Sequence, residues 1–190
     1  MVIQRPRATD DPPADPIDWA RHFWVRQGLG DGSPFLAMSS TLRFHRIMVD
    51  RIEPRLRAHE LNLTDYMLLM TLLLSNSGTR LISHLARSLL VHATTATLAT
   101  DRLARRGLIT REAHPDDRRA TLVTITEAGR ALACDATDTL RTIGFGVGEG
   151  DDEEAEADQR TLTELLARLR SGAGDGELGS IPAEPIPPPR

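Results

Sequence analysis

The chain has 190 residues, 40% of them hydrophobic, with 23 basic residues against 27 acidic ones and a single cysteine. That length suits one domain with tails, and one cysteine excludes both a disulfide framework and a cysteine-based zinc site. The longest apolar stretch, YMLLMTLLL, falls short of the roughly 18 residues a membrane span needs. The opening MVIQRPRATDDPPADP has no apolar core of the kind a secretory signal carries. A cytoplasmic protein without a membrane partner is expected.

Taken in chain order, residues 1–16 and 172–190 are rich in Pro, Asp and Gly and read as disordered tails. A helix is expected over Ile17–Gln27, with Trp19, Phe23 and Trp24 as packing residues and Gly28-Leu-Gly-Asp-Gly as its stop. A long helix follows from Pro34 to His59, carrying Leu42, Ile47, Val49 and Ile52, with Pro54 marking a kink or boundary. Thr64 stands before an apolar run with Asp65 in the first turn, which predicts a helix over Thr64–Ser75 capped by Thr64. Leu81, Leu85 and Leu89 form a stripe on a helix over Leu81–Leu89. A further helix spans Ala93–Arg106 and stops at Gly107.

The periodicity then changes. Leu108–Ala113 and Thr121–Thr126 are rich in β-branched residues and flank the turn HPDDRR, the pattern of a β-hairpin. Glu127–Thr142 is helical again, Gly144–Gly150 breaks the helix, and Asp151–Arg170 ends the ordered region with Leu162, Leu165, Leu166 and Leu169 on one stripe. The fold class is mostly α with a small β-hairpin wing: a winged helix-turn-helix flanked by N- and C-terminal dimerisation helices. The expected organisation is N-terminal helices over 17–60, a winged helix-turn-helix lobe over 61–126 and C-terminal helices over 127–171, the apolar-striped helix at each end of so small a domain calling for a dimer partner.

Charge agrees with that reading. From Arg80 to Arg119 eight Arg face four acids, a net of +4, whereas from Ala120 onward six Arg face fourteen acids, a net of −8. A basic block inside an acidic chain suffices for DNA, because the footprint is a property of a patch. In HATTATLATDRLARRG, Ala96, Ala99 and Leu103 share a buried stripe and leave Thr94, Thr95, Thr97, Leu98 and Arg102 on or near the other side. Short Thr side chains allow close approach to DNA, and a helix of this kind fits the major groove. The DDRR turn projects two arginines, Arg118 and Arg119, beside acids that can orient them for a narrow minor groove.

These stretches together, from LNLTDY through LARSLLVHATTATLATDRLARRGLITR and HPDDRR to ITEAG, resemble the multiple antibiotic resistance regulator (MarR) family of bacterial transcription factors. The resemblance implies that Asp117 and Arg119 are the wing's Asp-x-Arg pair, Arg119 entering the minor groove with Asp117 orienting it and Arg118 contacting phosphate. It implies an obligate homodimer on a pseudo-palindromic operator of double-stranded DNA, acting by family habit as a repressor. It also implies release by a small aromatic or phenolic ligand, for which Trp19, His22, Trp24, Arg43, Phe44 and His45 are the candidate pocket residues.

Other chemistries find little here. The acidic residue Asp135 beside Cys134 disfavours a reactive thiolate. His114, Asp116 and Asp117 lie close in sequence, but in a loop whose acids orient arginine, so no metal and no cofactor is expected. No catalytic motif of hydrolases, metalloproteases or nucleotide-binding enzymes is present in the sequence, and the chain is not expected to be an enzyme. The competing expectation is a winged-helix protein-interaction module, its acidic C-terminal half facing a basic partner.

Overall fold

The computed structural model describes residues 15–117, 119–148 and 153–175. The chain divides into two compact units, Met1–Met48 and Val49–Arg190.

The first unit holds α1 (Pro16–Arg26) and the beginning of α2 (Ser33–Arg57). Asp15 caps α1 by accepting the N–H groups of Ile17 and Asp18 at 2.8 and 3.0 Å. Those bonds, Asp18 foremost, hold the Asp15 carboxyl below its usual range. Trp19 stacks obliquely on Phe23, and Trp24 lies parallel to Phe35 with centroids 4.7 Å apart. The Trp24 indole N–H donates to the Gly30 carbonyl at 3.2 Å, which ties the glycine-rich connection back onto the helix.

In the second unit Pro54 lies inside the last turn of α2 and does not end it. Next comes α3 (Leu63–Leu73), which starts one residue earlier than expected because Asn62, not Thr64, is its cap. Asn62 has extended backbone, so its side-chain oxygen reaches the Asp65 N–H at 2.8 Å, while Thr64 is already helical. A three-residue strand β1 (Thr79–Leu81), too short to leave a sequence signature, precedes α4 (Ile82–Ser88). Of the leucine stripe expected there, Leu85 is fully buried, with His84 and Ala86 beside it, whereas Leu81 and Leu89 are the N-cap and C-cap and only half-buried.

After a turn comes α5 (Ala93–Arg105), with Gly107 at φ +70° just beyond it, the left-handed position that a glycine takes at least cost. Strands β2 (Ile109–Ala113) and β3 (Thr121–Ile125) form the expected hairpin, and β1 adds to its other edge in the order β1-β3-β2, all antiparallel. The register sets Thr79 opposite Thr124, whose hydroxyls bond at 2.8 Å, and Arg111 opposite Val123. Then α6 (Glu127–Arg141), a 3-10 turn at Gly144–Gly146, and α7 (Glu153–Gly172) complete the described chain.

The core of this unit is where α3, α5, α6 and the sheet meet. Leu68, Leu69 and Leu72 of α3, Leu103 of α5, Val123 of β3 and Ala133 and Ala136 of α6 are fully buried. At about 1.5–3 kcal/mol for each large apolar side chain, this cluster sets the orientation of α5. By contrast, α7 has no buried residue, and its Leu165 and Leu169 stand exposed.

The N-cap of α5 is a weak point. His92 has the extended backbone of a cap, yet its side chain accepts no hydrogen bond from the first turn. His92→Ser should therefore raise stability by about 0.5–1 kcal/mol. Urea or thermal unfolding reads this directly, and an unchanged midpoint would mean that water already satisfies the first-turn N–H groups.

Candidate nucleic-acid interface

Two elements present polar residues around the basic block: the outer side of α5 and the loop between β2 and β3. Ala96, Ala99 and Leu103 are wholly buried, as their spacing implies, so the opposite side of α5 faces water. Thr94, Thr95 and Leu98 are exposed there. Thr97 is half-buried, and its hydroxyl donates to the Ala93 carbonyl at 2.9 Å.

Arg102 departs from the sequence-based assignment to the DNA-facing set. Its Nε and Nη2 donate to the two carboxylate oxygens of Asp65 at 3.0 and 2.6 Å, a bidentate pair between α5 and the first turn of α3. The Asp65 side chain is 3% exposed and that of Arg102 42%. This bond holds the Arg102 guanidinium even further into its charged range. The Nε–Nη2 edge of the guanidinium is thus occupied by Asp65, and Arg102 ties α5 to α3. In the sequence Asp65 is only a first-turn acid, and its partner, 37 residues away, leaves no local signal.

Two further arginines lock the same region. Arg111 of β2 pairs with Asp101 of α5, joining the helix to the base of the wing. Arg106 donates to the backbone carbonyls of Glu60 and His59, tying the end of α5 to the segment before α3. Of the basic block, then, Arg102, Arg105, Arg106 and Arg111 face protein groups, Arg105 through its Nε and the Asp101 carbonyl.

The wing tip is organised by its acids through the backbone. The Asp117 carboxylate accepts the Arg119 backbone N–H at 2.9 Å, the Asp117 carbonyl accepts Ala120 N–H, and His114 N–H closes the loop on the Ala120 carbonyl. Asp117 thereby sets the direction in which Arg119 leaves the loop, without holding the guanidinium itself. The Arg119 side chain is exposed and has no partner among the described residues. Arg118 lies outside the described residues. The His114 ring nitrogen accepts the Asp116 N–H at 3.2 Å, and among the described residues no group of three metal-ligating side chains comes together.

The candidate ligand residues do not converge in the contacts seen. Trp19 and His22 both meet Phe23, and His22 bonds Arg26 at 3.2 Å, while Trp24 is engaged with Phe35 and Gly30. Phe44 is half-buried, Arg43 and His45 are exposed, and no ring contact or hydrogen bond links these three to the tryptophans. Cys134 is exposed on α6. No helix among the described residues is long and apolar enough to cross a membrane.

Comparison with known proteins gives this arrangement a context. The family model described as MarR family matches residues 61–121, which run from just before α3 to the first residue of β3. The HTH-type transcriptional regulator MhqR of Bacillus subtilis is 30% identical over 67% of this chain and 84% of its own. The crystal structure of Sco5413, a MarR family transcriptional regulator from Streptomyces coelicolor, is 32% identical, covers 76% of this chain and 98% of its own, and superposes with a TM-score of 0.66. Sco3205 from the same organism, solved in complex with DNA, shares the fold at 21% identity, a TM-score of 0.62, and coverage of 75% of this chain and 88% of its own.

Proposed function

The chain belongs to the MarR family of transcriptional regulators, and on that premise we propose that it works in the cytoplasm as a homodimer on a pseudo-palindromic DNA operator. In this reading α5 lies in the major groove, with Thr94, Thr95 and Leu98 toward the base edges. The β2–β3 wing lays Arg119 in the adjacent minor groove, and Arg118 serves a phosphate. The default state is repression, relieved by a small aromatic or phenolic ligand.

The observation that carries this reading is the Asp101–Arg111 bridge between α5 and β2. It couples a helix with an exposed polar side to a wing whose Arg119 side chain is exposed and has no partner among the described residues, so both can engage one duplex as a unit. Sco3205, of the same fold, is a DNA-bound regulator. Homodimerisation has its own support. The 20 residues of α7 bury no side chain within the chain, although Leu162, Leu165, Leu166 and Leu169 form an apolar stripe. A second copy, bringing the N- and C-terminal helices together, would cover it. Ligand release is supported by the half-exposed Trp19 ring, which offers an aromatic ligand a stacking face.

Arg119→Ala tests the wing. It should weaken operator binding about tenfold or more, the scale of one lost arginine contact, while leaving the unfolding midpoint unchanged because the side chain is exposed. Undiminished binding would remove Arg119 from the interface.

A further inference from the structure

The segment of α5 that would enter the groove is unusual in what it lacks. From Ala93 to Asp101 there is no Arg, Lys, Asn or Gln. Those are the side chains that read guanine and adenine by paired hydrogen bonds in the major groove. The arginines that follow do not fill the gap. Arg102 has the Nε–Nη2 edge of its guanidinium committed to Asp65, which turns the group toward α3. Arg105 donates its Nε to the Asp101 carbonyl and sits seven residues beyond Leu98, about 10 Å along the helix axis. Asp101, the one charged residue in the segment, is neutralised by Arg111.

What the segment does present is apolar. Leu98 is 61% exposed on the side opposite Ala96, Ala99 and Leu103, one turn along from Thr94. The Thr94 and Thr95 side chains, exposed beside it, each end in a methyl as well as a hydroxyl. In the major groove one base alone offers an apolar group, thymine through its C5 methyl.

We propose that this helix recognises its operator through thymine C5 methyls, with Leu98 as the principal specificity-determining residue and Thr94 and Thr95 completing the apolar contact. This rests on the DNA-binding reading given above and specifies the class of site bound: half-sites with thymine beneath Leu98. Arg119 and the backbone contacts then supply affinity, and Leu98 supplies discrimination.

Selection of duplexes from a random library by the full-length protein would provide the site. The same duplex synthesised with deoxyuridine for each half-site thymine removes only the methyls and leaves every hydrogen-bonding group in place. Affinity should fall about fourfold per contacted methyl, the factor expected for burying one methyl-sized apolar group, and so about fifteenfold for one methyl in each half-site. In Leu98→Ala the difference between thymine and deoxyuridine duplexes should shrink to under twofold. Equal binding of both duplexes by the unaltered protein, or selected half-sites without thymine, would overturn the inference while the regulator reading stands. Failure to bind any duplex at low salt would overturn the regulator reading, and this inference with it.

Discussion

Arg102→Ala should destabilise the protein by about 3 kcal/mol, more than Asp65→Ala, because it orphans the more deeply buried partner. The Asp65 side chain is 3% exposed and loses both hydrogen bonds, at 3.0 and 2.6 Å, when the guanidinium goes. In Asp65→Ala the Arg102 side chain, already 42% exposed, can turn to water, so about 2 kcal/mol is expected. The double variant should recover part of the loss, and the cycle of single and double variants isolates the pair's coupling. Unfolding in urea reads all three. If Arg102 were instead a DNA contact, Arg102→Ala would keep its full stability and lose only affinity, the result that would contradict a structural role.

Gly129→Ala sets two effects of opposite sign against each other. Alanine inside a helix is normally favoured over glycine by about 1 kcal/mol. Gly129, however, lies in the first turn of α6, where an added Cβ would sit inside the contact radius of the Leu108 backbone carbonyl oxygen and against Ile125. That carbonyl cannot move freely, because it accepts the Thr126 N–H at 3.0 Å, and Thr126 in turn caps Gly129 and bonds the Gly107 carbonyl. The clash should win, with a net loss of about 3 kcal/mol and a thermal midpoint lower by about 10 °C. A midpoint that rises would show that α6 shifts to accommodate the methyl.

These two sites also mark where sequence reading stops. The long periodic helices, the β2–β3 hairpin and the Gly107 stop follow from local pattern, since apolar spacing and β-branched runs act within a few residues. Gly129 is visible in ITEAG as a motif position, but its reason, the approach of Leu108 across the wing base, is a contact between segments 21 residues apart in sequence. The three residues of β1 carry no period of their own and become a strand only because β3 offers an open edge. For α4, a leucine spacing of four correctly placed Leu85 in the core but made the helix one residue too long at each end, since Leu81 and Leu89 are its caps. Within the candidate interface, alternation of buried alanines correctly exposed Thr94, Thr95 and Leu98. It could not show that Arg102 turns to Asp65, nor that Asp117 acts on Arg119 through the backbone rather than the guanidinium. Both depend on which partner tertiary structure brings near.

In the proposed function α5 and the wing form one DNA-binding surface. Its most direct test is fluorescence anisotropy of the full-length protein on DNA from upstream of its own gene, titrated at two salt concentrations beside a scrambled duplex. Tighter binding to the native duplex, weakening steeply as salt rises, is expected, since arginine–phosphate contacts release counterions. No binding to either duplex at low salt would contradict it, and would point instead to a winged helix that docks a protein.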